Sequence, residues 1–198
     1  MVYCKPALYS IGHSNHELDH FLELLRQHEI EVLADVRSQP FSRFTPHFNR
    51  EILKTVIQSA GMTNLFLGDQ LGGRPEGAEF FDAAGHVLYY RVAKSPNFLA
   101  GIERLKKGAK QYRVAMMCSE EDPSVCHRFL LVSRVLTEHG VEVQHIRGDG
   151  ETQTEKAVCA ISKDNRQQGL LFADMEDETW KSLRSVLPKA APSDFLEG

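Results

Sequence analysis

No apolar run in this sequence approaches the ~20 residues that a membrane-spanning helix needs, so no spanning segment is expected. Cysteine is sparse: Cys4, Cys118, Cys126 and Cys159 sit at irregular spacing. A chain of 198 residues can bury a core large enough to dispense with disulfide staples. Reduced thiols and a cytoplasmic location are therefore the expectation. Neither sign of charge dominates, and a net charge of -4 gives no global pull toward nucleic acid or acidic membranes. The sequence contains no C-x-x-C pair, no complete phosphate-binding P-loop pattern and no internal repeat. The opening residues, with Lys5 and Pro6, lead straight toward an apparent strand, so no secretory leader is expected.

What is present is an ordinary globular composition, 42% hydrophobic and 25% charged. Ala7–Ile11 predicts a first strand. Ser14 and Glu17 then have the spacing of a capping box, ahead of a helix with Leu18, Phe21, Leu22 and Leu25 on one face. Glu31–Val36 predicts a second strand, running into a long loop at Arg37–Pro40. Asn49 caps a second helix carrying Ile52, Leu53, Val56 and Ile57, and Gly61 stops it. Leu65–Leu67 predicts a third strand, followed by the Gly72-Gly73 turn. Residues 76–96 read as a packed excursion, because of Phe80, Phe81, Tyr89 and Tyr90. A helix over Pro96–Lys107, closed by Gly108, precedes a fourth strand over Tyr112–Met117.

Asp122-Pro123 signals another helix start, with Val125, Phe129, Val132 and Leu136 as its buried stripe and Gly140 as its end. Val141–Ile146 predicts the last strand, and helices are expected near 151–162 and over Asp177–Leu187. Strands alternating with helices predict one α/β domain: a mostly parallel sheet with helices on both faces, a Rossmann-like three-layer sandwich. It should span residues 1–187, with a core of about 8–150, an extension over 151–187 and a loose tail from 188 to 198.

In such sheets ligands bind beyond the carboxyl ends of the strands, and here those ends carry reactive residues. They are His13 and Ser14, then Asp35 and Arg37, then Gly72 and Gly73, then Cys118 and Glu120, then His145. The densest stretch runs from Cys118 through Cys126-His127-Arg128. A helix beginning at Asp122 places those last three about one turn inside it, near free backbone N–H groups that favour anions and thiolates. Each residue also has a plainer use. Cys126 is a small core residue, His13 a helix cap, Asp35 with Arg37 a structural ion pair, and Gly72 with Gly73 a simple turn. Cys118, Cys126 and His127, with Glu120 or His145, also offer metal ligands. Neighbours such as Cys126 and His127 project in different directions from a helix, which argues against that use, so no metal is assigned.

Five patches together resemble a known family: Ser10–Ser14, Asp35–Ser42, Leu71–Gly73, Cys118–Glu120 with Cys126–Arg128, and Val143–Ile146. They resemble the domain-of-unknown-function family numbered 488, over about residues 8 to 150. The resemblance implies a compact α/β domain in a cytoplasmic prokaryotic protein and supplies no reaction.

The residues point to a small enzyme that binds a phosphate or carboxylate ligand. Cys118 or Cys126 is its candidate nucleophile, and His13 or His127 its proton carrier. Asp35 orients a base or substrate, and Glu120 is a second acid/base group. Arg37, Arg43 and Arg128 hold the anion, with Ser14, Ser42, Gly72, Gly73 and His145 as further ligand contacts. No cofactor is assigned, and the oligomeric state is left open. The loop bearing Phe41, Arg43, Phe44 and Phe48 has the arginine-plus-aromatic character that grips single strands, although the net charge lends a nucleic-acid partner no support. The alternative is a non-catalytic ligand- or metal-binding regulatory module.

Overall fold

The structure is a computed structural model that describes residues 8–165 and 180–186. Six strands form one sheet: β1 (Leu8–Gly12), β2 (Val32–Asp35), β3 (Thr63–Phe66), β4 (Val114–Cys118), β5 (Val143–Ile146) and β6 (Thr152–Thr154). Their order is β3-β2-β4-β1-β5-β6, and only β6 runs antiparallel. The fold is therefore α/β on a mostly parallel, mixed sheet. The central strands β1 and β4 are buried along their whole length, as suits their largely apolar sequences.

Alternate strand residues enter two separate cores. Tyr9, Ile11, Leu33, Ala115 and Met117 pack with α1 (Leu18–Gln27) and α2 (Arg50–Ser59). Leu8, Ala34, Val114, Met116 and Cys118 pack instead with α5 (Pro96–Ala109) and with the helical segment Arg128–Glu138. Helix spacing selects the buried faces: Phe21, Leu25, Leu53 and Ile57 are fully enclosed. Each contributes roughly 2 kcal/mol by leaving water.

Residues 76–96 are a packed excursion that includes the short helix α4 (Tyr89–Val92). It follows another four-residue helix, α3 (Gly68–Leu71). Tyr89 is buried, and an isolated bridge pairs Phe81 with Val87.

Several local expectations are corrected. The Ser14–Glu17 capping box does not form: Ser14 adopts a φ of 46°, its hydroxyl donates to Asn15, and α1 starts uncapped after Glu17. Asn49 precedes α2, but its side-chain oxygen accepts from the Ser42 N–H across the loop instead of capping the helix. Ile52 is 48% exposed and Val125 45% exposed, so neither belongs to its predicted stripe. The segment 151–162 contains β6 before α7 (Glu155–Asn165), and Trp180–Val186 is not helical. Lys181 instead bridges to Leu88, and Ser182 donates its backbone N–H to Val87. The predicted tail from 188 and residues 177–179 lie outside the described residues.

Candidate functional site: a thiol cluster at the carboxyl edge of the sheet

The strand order makes β2, β4, β1 and β5 neighbours, so their carboxyl ends share one edge. Gly12 stands opposite Cys118, and Asp35 opposite Met117. Gly12 is required there, because a Cβ would run into the Glu120 carbonyl of the turn that follows β4. That turn is held by Arg128, whose guanidinium donates to the carbonyls of Glu120 and Glu121 and, at 3.2 Å, to Ser10 Oγ.

After β4 the chain does not enter a helix at Asp122. Asp122 caps only a single 3-10 turn, Pro123–Val125, by accepting from the Ser124 N–H. Cys126 is then extended, with φ -112° and ψ 145°. A π-helical stretch, Arg128–Ser133, starts two residues later and continues into α6 (Arg134–Glu138). The expectation that Cys126, His127 and Arg128 lie one turn inside a helix is therefore corrected. Cys126 instead stands just ahead of the helix. Its carbonyl accepts from Phe129 and Leu130, and its sulfur accepts from the Arg128 backbone N–H at 3.4 Å.

This break brings three donors together. The Sγ atoms of Cys118 and Cys126 and a ring nitrogen of His127 all lie within 4.8 Å of one another. Nδ1 of His127 is 3.6 Å from Cys118 Sγ and 3.8 Å from Cys126 Sγ. The other ring nitrogen, Nε2, is 3.1 Å from the Val36 carbonyl. A carbonyl only accepts, so Nε2 carries the hydrogen and the Nδ1 lone pair of the neutral ring faces the sulfurs. Glu120 Oε2 stands 3.0 Å from Cys118 Sγ, so Glu120 and Cys126 compete for the one Cys118 thiol proton.

The two thiols titrate as a pair. Burial pushes Cys126 up, but the hydrogen bond from Cys118 and the nearby Arg128 and His127 charges outweigh it and hold Cys126 well below the ordinary thiol range. The hydrogen bond to Cys126, then burial, pushes Cys118 well above it. Burial pulls His127 down, while the adjacent Cys126 sulfur and Glu120 give a net upward shift. The two sulfurs are therefore inequivalent: Cys126 is the more acidic thiol of the pair and Cys118 the less acidic.

The cluster floors a hollow of about 380 Å³. Arg37, Gly73, Arg74 and Tyr89 line it, as do Glu120 and the segment Ser182–Val186. Gly73 is packed so closely on His127 that a Cβ would sit 2.8 Å from the ring's Cγ. Burial pushes the Tyr89 phenol pKa upward, keeping it protonated.

The other candidates fall elsewhere. Asp35 is buried in a bidentate pair with Arg37, whose guanidinium also donates to the Phe48 carbonyl and to His13 Nε2. His13 stacks on Phe48, donates from Nδ1 to the Ser14 carbonyl, and does not line the hollow. Its pKa is lowered to about 4, by burial first and by Arg37 second.

Arg128 is fully buried and spends its guanidinium on backbone carbonyls and Ser10, which corrects its role as an anion ligand. His145 is equally buried: its Nδ1 accepts from Ser10 and its Nε2 donates to Glu155. Ser42 shapes its own loop, where its Oγ accepts from the Phe44 and Thr45 N–H groups. Arg43 is exposed over the Phe44 ring, away from the hollow. Ser14 likewise stands outside it, and Gly72 packs against Gly68 and Ser38 beside a second hollow. Arg74, Tyr89 and the Ser182–Val186 wall were not among the candidates; Arg74 alone carried a signal, its place after the Gly72-Gly73 turn.

The model of one family, described as Domain of unknown function DUF488, matches residues 17–135. The chain belongs to this family. The match takes in Asp35, Arg37, Cys118, Glu120, Cys126, His127 and Arg128, and leaves His13 and His145 outside. The chain matches no curated protein and no solved structure. Among the described residues no helix is long and apolar enough to cross a membrane, and Cys118 and Cys126 are not in disulfides.

Proposed function

We propose that this DUF488 member is a small cytoplasmic enzyme that binds a phosphate- or carboxylate-bearing ligand over the carboxyl edge of its sheet, and that Cys118 and Cys126 are required for its chemistry. The observation that carries this reading is the composition of one hollow. Both sulfurs and His127 floor it, while Arg74 and Arg184 line it. Neither arginine pairs with a carboxylate among the described residues, so each has charge to offer an anion. Arg37 is already neutralised by Asp35, and its part is to order the wall.

Glu120, exposed at the rim and bonded to Cys118, is the group suited to proton transfer. The two cores are read as the two sides of a Rossmann-like three-layer sandwich, in which this edge is the customary ligand position. A non-catalytic ligand- or metal-binding regulatory module is the second reading, supported by the same clustered donors.

The test uses inorganic phosphate and small dicarboxylates as probes. Binding to the native state raises the apparent melting temperature and slows iodoacetamide labelling of Cys118 and Cys126. An Arg74→Gln/Arg184→Gln variant should lose both effects. Failure of every anion to shift melting or slow labelling of the wild type would remove the proposal. Turnover of a ligand found this way separates enzyme from module.

A further inference from the structure

We propose that Cys118, Cys126 and His127 form a zinc-binding centre with three protein ligands and a fourth coordination position open to the hollow. The inference deepens the function proposed above, since it rests on the same site and assigns the two cysteines their part there: they hold an ion.

The geometry carries it. Zinc bonds thiolate at about 2.3 Å and imidazole at about 2.0–2.1 Å. Tetrahedral angles then set sulfur and nitrogen ligands about 3.6 Å apart. His127 Nδ1 stands 3.6 Å and 3.8 Å from the two sulfurs, and all three atoms fall within 4.8 Å of one another. Small shifts complete the sphere.

The argument against a metal, that Cys126 and His127 diverge from a helix, fails here. Cys126 is extended while His127 already has helical backbone angles, so the two neighbours straddle the helix start instead of diverging from within it.

Two outer contacts fit the same use. Histidine ligands commonly donate their far N–H to a carbonyl, which fixes ring and tautomer; His127 does this to Val36 at 3.1 Å. Thiolate ligands accept backbone N–H groups, and Cys126 accepts that of Arg128 at 3.4 Å. Two thiolates and a neutral imidazole leave a zinc site neutral in charge, and the buried Arg128 lies beside it.

The fourth side faces the hollow that Arg74 and Arg184 line. Three protein ligands with one open position is the pattern of reactive zinc centres, and four protein ligands that of structural ones. Glu120 bonds the Cys118 sulfur from the rim and lies outside the close donor set. The open position therefore takes water or an oxygen of the anionic ligand, with Glu120 beside it.

Metal content and cobalt spectroscopy test this on the full chain, purified without chelator or added metal. One equivalent of zinc is expected. Replacement by cobalt(II) should give intense visible bands of tetrahedral coordination and a near-ultraviolet sulfur-to-cobalt transition. Cys126→Ser and His127→Gln should weaken cobalt binding at least 100-fold, while Glu120→Gln should leave stoichiometry and charge-transfer band in place. Wild-type protein that binds no zinc, and whose cobalt spectrum is pale and octahedral, overturns the centre even if the variants fail to fold. Loss of metal in Glu120→Gln overturns the open position.

The two proposals fail separately. Absent zinc with phosphate still shielding the thiols removes the metal alone. Bound zinc with no anion effect removes the anion ligand alone.

Discussion

Arg128 donates from Nε to Ser10 Oγ at 3.2 Å, joining the start of the helical segment Arg128–Glu138 to the first strand. From there the bonding runs one way. Ser10 donates to His145 Nδ1 at 2.7 Å, and His145 Nε2 donates to Glu155 at 2.9 Å. Hydrogen bonds to a charged group contribute about 1.5–3 kcal/mol each, and leaving their partners buried and unpaired costs more. Arg128→Ala should therefore destabilise the protein by at least ~3 kcal/mol. Arg128→Lys keeps the charge but cannot reach three acceptors, and should recover less than half of that loss. Urea unfolding measures both; an alanine variant within about 1 kcal/mol of wild type would show that this clamp does not hold the turn.

His13 makes stability depend on pH. Its Nδ1–H donates to the Ser14 carbonyl and its Nε2 accepts from Arg37, so both nitrogens are engaged by the neutral ring. Arg37, Asp35 and Glu120 are the charged groups around it, and burial with the Arg37 charge lowers its pKa to about 4. The unfolded chain takes up the proton near pH 6.5. Between those values the unfolded state binds more protons, so stability is full above about 6.5 and falls as pH drops toward 4. The whole effect is about 3 kcal/mol. His13→Gln should flatten that part of the curve, measured as the urea midpoint from pH 7.5 to 4.5. An unchanged slope in the variant would assign the dependence to other groups.

Gly73 packs directly on His127 at the edge of the hollow, and a Cβ at 73 would lie 2.8 Å from the ring. Gly73 does not have a positive φ, so alanine brings no backbone penalty. The added methyl must push the loop or the ring, and the ring is tied to Val36. Gly73→Ala is expected to weaken ligand or cobalt binding at least 10-fold while melting within a few degrees of wild type. Unchanged binding would mean that the loop yields instead of the histidine.

The parts of this molecule that were legible in the sequence are those written in apolar residues. β4 is a short unbroken apolar run, β1 is apolar except for Ser10 and Gly12, and spacing marks the buried faces of α1 and α2 apart from the exposed Ile52. β6 is Thr-Gln-Thr with no buried residue, held by pairing to β5, and had no pattern to find. Asp122-Pro123 starts a 3-10 turn as readily as a helix, because both satisfy the same first N–H groups, so the break at Cys126 was hidden. That break decides the chemistry, since it turns two sequence neighbours toward one point. Arg128 and His145 read as ligand contacts because charge and imidazole look alike whether they face water or a buried network; only burial separates them.

Trp180 and Ser182 give a direct optical test of the wall that closes the hollow. Trp180 is the single tryptophan and is 9% exposed; its Nε1–H donates to the Leu130 carbonyl at 2.8 Å, and the Arg134 guanidinium lies over its ring at 4.0 Å. Two residues on, Ser182 Oγ accepts from the Val87 N–H at 2.9 Å. Ser182→Ala leaves that buried N–H without its partner, a loss of about 1–3 kcal/mol. The Val87–Ser182 pair is one of the bonds that dock this stretch on residues 85–90, so the loss should appear first as local opening and only partly as global unfolding. Acrylamide quenching of Trp180 should rise and its emission shift to longer wavelength well below the melting temperature. A variant that melts earlier with native-like quenching up to the transition would instead show that 180–186 is locked to the core and cannot open independently.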